Sequence, residues 1–419
     1  MRNSFFMFRN MFFIFRKTFE SLLITVLLFS FSSCCETPIP EPEIERSVLI
    51  YMAANNNLSS YSFSNIEMIK NGGFIPAHGN ILIYQDAPGA SPRLFRLTKN
   101  GDEIVEELVE EYSSSERATD PTVLTRTLNR MQELFPAKNY GLILWSHANG
   151  WVPAHTFSSP IPSLSAIYSL PSGIRMEDLP VVKTFGEANR PGGGGYDVGM
   201  ELNQLAQAIA ASFCRLSFIV FDCCLMGGIE TLYALRNVAD YIIASPTEIM
   251  GSGFPYHLLM QPLFLPTADL AGVCNTFYNF YNEQDGYFKS ATIALYRTQF
   301  LPELTDILRS LFAKYREELS RFSTANMQRF ANTNIYYDLD QFISRLVSQT
   351  DYEAFKNVLD KVVTLKRNTD FFFSNVTSAG FIPVNHYGGI STYIPLASQS
   401  SLVQAYKETE WNKAVRLVE

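Results

Sequence analysis

The sequence predicts an α/β protein: a mainly parallel sheet flanked by helices, followed by a mostly helical C-terminal lobe. Two observations carry this. Short, continuous apolar runs recur between residues 47 and 244, as strands buried on both faces require. Segments of helical character separate them, the order expected of β–α–β crossovers. The 419 residues and 47% hydrophobic content suffice for a large core. The net charge of −8 is the wrong sign for a nucleic-acid partner. Aromatic residues make up 14%, and they fall in strand and helix patterns, as core residues do, rather than in the loops of a glycan-binding surface.

In chain order, Ser47–Ala53 (SVLIYMA) is the first buried strand and Ser59–Lys70 a helix. Asn80–Gln85 is a second buried strand. Arg93–Thr98 and Ile104–Glu111 form a more exposed hairpin across Lys99–Asp102. Asp120 is the N-cap of a helix with Pro121 at its first position, running to about Phe135. Tyr140–Ser146 (YGLILWS) is the third core strand. Val152–Val198 then breaks the rhythm with Pro, Ser and a Gly192–Gly195 run, long enough for a functional loop. Helix is predicted at Met200–Ser212, strand at Leu216–Phe221, helix at Leu225–Asn237 and strand at Tyr241–Ala244. The second half reads as helices at Thr267–Glu283, Leu301–Arg321, Asp338–Val347 and Tyr352–Leu365, with strands at Ala291–Tyr296 and Gly388–Pro395.

The N-terminus reads as a targeting segment. Arg2, Arg9, Arg16 and Lys17 precede an apolar run, Ser21–Phe31, too short to span a bilayer. Small residues and then Cys34 and Cys35 follow. Residues 1–33 are expected to be a signal peptide, and FSSC resembles a bacterial lipobox. Cys34 is the expected lipidated residue, since it leaves Ser32 and Ser33 just upstream. The acidic, Pro-rich 34–46 segment reads as an extended tether. The expectation is an exported protein, lipid-anchored in a bacterial outer membrane on its periplasmic or cell-surface side. A monomer is expected.

Four cysteines remain: Cys214, Cys223, Cys224 and Cys274. They make a poor disulfide framework and show no zinc spacing. In open parallel sheets, sites form beyond the C-terminal ends of strands. Tyr140–Ser146 ends at His147, and Leu216–Phe221 ends at Asp222, Cys223 and Cys224. If these strands are neighbours, an imidazole and a thiol meet at the sheet edge. A nearby imidazolium favours the thiolate, as does a helix N-terminus, expected here at Leu225. The backbone N–H groups of Cys224 and Ala148 are candidate oxyanion donors. His78–Gly79 precedes a strand, His155 reads as a surface residue, and His257 and His386 have no evident partners in the sequence. Asn55, Asn56 and Asn57 fit a turn or a pocket floor.

At these residues the sequence resembles the clostripain-like cysteine peptidases, which share a caspase-like sheet. The matching segments are LIYMAANNNLSSY (49–61), LILWSHANGW (142–151), FIVFDCCLMGGIET (218–231) and IIASPTEIMGSGFPY (242–256), with GGISTYIP as a closing strand. The resemblance runs from about Ser47 to the C-terminus. It implies a catalytic domain at 47–262 and the C-terminal lobe at 263–419. It makes His147 the general base and Cys224 the nucleophile of an endopeptidase that forms a thioester and cleaves after Arg or Lys. Asp222 would face the basic P1 side chain, and Ser245 and Glu248 would form the pocket wall. Substrates would be proteins or peptides with exposed Arg or Lys. Some members cut their own segment between histidine and cysteine, which offers Arg175, Lys183 and Arg190. No metal or other cofactor is predicted. Calcium enters by resemblance only, as no EF-hand pattern is present.

The sequence departs from the family pattern twice. Ala148 stands where the family usually has Gly. A positive φ there would cost Ala roughly 1–2 kcal/mol. Cys223 stands where the family usually has Ala and leaves open which thiol acts; Cys224 is favoured because Leu225–Met226 follow it. The alternative reading is a weak or inactive relative acting as a peptide- or protein-binding surface lipoprotein.

Overall fold

A computed structural model describes residues 44–153, 188–189, 196–197, 199–376, 380–396 and 398–419. The buried apolar runs pair as a parallel sheet: β1 (Arg46–Ala53), β2 (Gly79–Asp86), β5 (Asn139–Trp145), β6 (Leu216–Asp222) and β7 (Ala239–Ala244). β1 is central, with β2 on one side and β5, β6 and β7 in order on the other. The hairpin of β3 (Arg93–Asn100) and β4 (Glu103–Glu111) extends the β2 edge antiparallel, and Gly101 turns it with φ 63°.

Right-handed crossovers that leave β1 in opposite directions place their helices on opposite faces. One layer is α1 (Ser59–Asn71), joined later by α5 (Tyr256–Leu263) and α6 (Leu270–Asn282). The other contains α2 (Pro121–Leu134), α3 (Leu202–Ala210) and α4 (Ile229–Ala234). Asp120 caps α2 by accepting from the Thr122 N–H at 2.8 Å.

The C-terminal region is mostly helical: α7 (Leu301–Lys314), α8 (Arg316–Ser320), α9 (Leu339–Leu346), α10 (Gln349–Val362), α11 (Ser400–Lys407) and α12 (Glu410–Val415). It also completes the main sheet. β8 (Thr292–Arg297) pairs antiparallel with β7, and β10 (Val363–Asn368) pairs with β8, giving nine strands. In two separate small sheets, β9 (Tyr337–Asp338) pairs with β13 (Ser391–Thr392), and β11 (Phe371–Ser374) with β12 (Gly380–Pro383). Residues Pro42–Glu419 form one compact unit.

α5, α11, α12 and the short strands β9, β11 and β12 are not expected from the sequence, and four expected elements are altered. The helix expected over Leu225–Asn237 is reduced to α4, because Gly227 and Gly228 are held extended against neighbouring backbone. The helix expected to Arg321 breaks at Tyr315. β10 takes the end of the helix expected to Leu365, because this charged edge strand has no apolar alternation to reveal it. The closing strand is only two residues long, held by β9 and by Gly228.

Register between β5 and β6 is set by packing. A Cβ at Gly141 would overlap the Phe218 ring, so the ring fills the place a side chain would occupy. Gly141→Ala is expected to destabilise the protein by about 1–3 kcal/mol through overpacking. A urea midpoint that falls at constant m checks this.

Candidate active site

β5 and β6 end together, with Trp145 opposite Asp222. His147 and Cys224 each lie two residues further along. The histidine strand is pinned from both sides. The Trp145 indole donates to Asn65 of α1 at 2.8 Å, and the Ser146 hydroxyl donates to the Ala53 carbonyl of β1 at 2.9 Å. Beyond them His147 is buried, with Nε2 2.5 Å from Asn57 Oδ1. Gly150 turns the chain with φ 62°, and a Cβ there would lie 2.7 Å from the Leu225 carbonyl oxygen. The Tyr336 hydroxyl donates to the Asn149 carbonyl at 2.8 Å.

Cys224 sits on a tight turn docked on the loop after β7. Leu225 has φ 62°, a conformation that disfavours L side chains. The turn is held in it by Leu225 N–H to Thr247 O at 2.9 Å and Gly227 N–H to Ser245 O at 2.8 Å. The Ile249 N–H donates to Cys224 Sγ at 3.1 Å. A donor to sulfur favours the thiolate. The expected helix N-terminus at Leu225 is absent, since α4 begins at Ile229. The Ile249 N–H is the backbone donor at this sulfur instead.

The neighbours in sequence take defined places. Cys223 is buried and its thiol donates to the Leu144 carbonyl of β5 at 3.1 Å. Ala148 is buried, and among the described residues only Leu225, Asn326 and Arg416 are non-glycines with positive φ. The backbone penalty considered for Ala148 is not incurred; Gly150 takes the left-handed position instead. Cys214 and Cys274 are thiols pushed up by burial, Cys214 to about 12, as suits core residues.

Asp222 is fully buried at the end of β6, where Oδ2 accepts from the Tyr256 hydroxyl at 3.0 Å and the Phe254 N–H at 3.4 Å. Ser245, expected at the pocket wall, supports the loop after β7. It is buried, with its hydroxyl shared among Thr247 and Thr292. Glu248 is likewise turned into the protein, its carboxylate accepting from the Asn375 N–H at 3.0 and 3.1 Å. Burial pushes Glu248 up to about 7.

Glu230, which carries no expectation from the sequence, ties the Cys224 turn to β13. Its Oε1 accepts from the Tyr393 N–H at 2.9 Å and the Thr392 hydroxyl at 3.1 Å. Beside it Ser391 N–H donates to Gly227 O. Burial pushes Glu230 up to about 7 as well. A buried glutamate on a short helix carries no sequence signal beyond its place in the matching segment.

His386, which lacks an evident partner in the sequence, lies 3.4 Å from both Asp338 and Asp340, and the Asp340 carboxylate raises its pKa. His257 lies beside Gly72 on the α1–α5 side. Cys34, Cys35, His155, Arg175, Lys183 and Arg190 lie outside the described residues. Among the described residues no three His, Cys, Asp or Glu side chains converge to hold a metal. No described helix is long and apolar enough to cross a membrane.

The chain matches the clostripain family model over residues 50–161 and 194–415. It belongs to the clostripain family. It is similar to an inactive zymogen C11 protease from Parabacteroides distasonis, at 33% identity over 89% of this chain and 98% of that one, with TM-score 0.73. It is also similar to a secreted C11 cysteine protease from Bacteroides thetaiotaomicron in complex with an irreversible peptide inhibitor, at 25% identity over 88% and 98%, TM-score 0.73. A further structure of a secreted C11 cysteine protease from that organism, iotapain, shares 27% identity over 89% and 99%, TM-score 0.72. No curated protein matches the chain. The clostripain-family chain is thus a cysteine peptidase with a caspase-like, mainly parallel sheet.

The buried glutamates generate a pH prediction. Their folded pKa values lie above the unfolded value near 4.5, so the stability they allow is full below that pH and is lost as pH rises through about 7. Each contributes of order 3 kcal/mol to this decline. Urea unfolding between pH 4.5 and 7.5 is expected to show a shallower fall in Glu230→Gln and Glu248→Gln than in the wild type.

Proposed function

We propose that the chain is an endopeptidase that cleaves after Arg or Lys, with Cys224 as nucleophile and His147 as base. The observation that carries this is the shared ending of β5 and β6, which brings the two residues to adjacent places at the sheet edge. The Cys224 thiolate attacks the scissile carbonyl, and the backbone N–H groups of Ala148 and Cys224 are candidate donors to the oxyanion. The His147 imidazolium gives its proton to the leaving amine as the C–N bond breaks. Water, deprotonated by His147, then hydrolyses the thioester and restores the thiol. Asp222 is the carboxylate for a basic P1 group, which a guanidinium can engage in bidentate fashion.

His147 is 2% exposed and Cys224 0%. Access by a peptide therefore requires a change in the chain around them. Self-cleavage after Arg175, Lys183 or Arg190 is the proposed change, and the relative described as an inactive zymogen supports a latent form. The exported state, with lipid on Cys34 in a bacterial outer membrane, rests on the N-terminal segment, and a relative is described as secreted. The non-catalytic binding role loses its motivation, because Ala148 has no backbone cost.

Turnover of Arg- and Lys-ended fluorogenic peptides tests the reading. Cys224→Ala is expected to lose about 10³-fold or more in kcat/KM, whereas Cys223→Ala stays within about tenfold. Asp222→Asn is expected to lower kcat/KM for these peptides by about 10-fold or more, through the lost ion pair. Activity surviving in Cys224→Ala overturns the assignment. Intact mass of the wild type and Cys224→Ala reports lipidation and self-cleavage together.

A further inference from the structure

We infer that Asn57 is the positioning residue for His147, so that the working group is Cys224, His147 and Asn57; this rests on the roles proposed above for His147 and Cys224. Sheet order supplies the frame. β1, β5 and β6 are consecutive neighbours, and each delivers one polar side chain beyond its C-terminal end: Asn57, His147 and Cys224. His147 is on the middle strand and can engage both.

The turn after β1 is built to present Asn57. Ala54 N–H donates to the Asp86 carbonyl at 2.8 Å, and Asn55 Nδ2 donates to the Asp86 carboxylate at 3.2 Å. Asn56 closes the turn on itself, donating to Ala53 O at 3.0 Å and accepting from Leu58 N–H at 2.9 Å. Leu58 is fully buried and anchors the far end. Two of the three asparagines thus turn inward. Asn57 is exposed, and its side-chain oxygen is the atom 2.5 Å from His147 Nε2.

An amide oxygen can only accept, so Nε2 carries the hydrogen. In the neutral ring the lone pair is then on Nδ1. On the roles proposed above, Nδ1 is then the ring atom that would act as base and acid. A neutral amide orients the ring without placing a negative charge beside the thiolate, which would raise the pKa of the thiol.

Steady-state kinetics of the full chain on an Arg-ended peptide test this, with Asn57→Ala and Asn57→Asp beside Cys224→Ala and His147→Ala. Asn57→Ala is expected to lower kcat roughly 10- to 100-fold through misorientation, with KM within about twofold of wild type. Asn57→Asp keeps the accepting oxygen. It is expected to restore kcat to within about fivefold of wild type and to move the alkaline limb of kcat/KM upward, because a carboxylate stabilises the imidazolium. Among the described residues, Tyr336, Glu230 and Glu248 lie on the Cys224 side, Asp222 and Cys223 precede it in the chain, and Asp86 braces the Asn57 turn; all are the same in every variant. An unchanged kcat in Asn57→Ala overturns the inference. A rise in KM alone overturns it too, marking a substrate contact, as does equal loss in both variants with no pH shift. Wild-type turnover in Cys224→Ala is a separate result, which overturns the underlying assignment.

Discussion

The site depends on one constraint: β5 and β6 run parallel in a register that sets Trp145 opposite Asp222. Side chains alternate between faces along a strand, so a one-residue slip would exchange their places. Cys223 would then approach the position of Cys224, and the sulfur now bonded to Leu144 O would leave the sheet. The Phe218 ring over Gly141 opposes such a slip, because any other pairing puts that ring against a side chain. The choice between adjacent thiols is thus made several residues upstream, in the core.

Orientation is then refined by turns docked on one another. The Cys224 turn lies against the loop after β7 through backbone bonds to Ser245 and Thr247, and against β13 through Gly227 O. Two buried glutamates reinforce these joints: Glu248 holds the β11 end to the loop, and Glu230 holds β13 to α4. Both accept from neutral donors, so no opposite charge offsets their desolvation. Their value is directional: each accepts from backbone that lacks another strand to pair with. The C-terminal region is therefore part of the site's foundation, although the residues assigned to chemistry lie in the first half of the chain.

Strands that bury both faces were legible in the sequence, because continuous apolar runs such as LILW and FIVF have few other uses. The reactive ends of those strands were legible for the same reason. The extent of α4 was not, since Leu225–Asn237 has helical composition and only the contacts of Gly227 and Gly228 hold its start extended. β10 was hidden by Lys366 and Arg367, which suit an edge strand and a helix surface equally well. Which residue of the His147–Gly150 turn takes positive φ was not legible in the sequence; Gly150 takes it and Ala148 does not. Asn57 was visible only as one of three adjacent asparagines, and register alone separates its place from those of the other two.

The histidine loop is clamped by the described core. Trp151 packs against Tyr393 and Tyr406, both at 5.1 Å between ring centroids, and Tyr336 holds the Asn149 carbonyl. Gly150 lies close against Leu225 O, which leaves little room for the loop to shift towards the Cys224 turn. On the far side of the segment, Met200 is buried and Glu201 caps α3 in a capping box with Gln204. Both flanks therefore have anchors of their own. The contacts of these two flanks, Trp151 with Tyr393 and Tyr406 on one side and the capping box of α3 on the other, are ones that the cut proposed above would not itself remove.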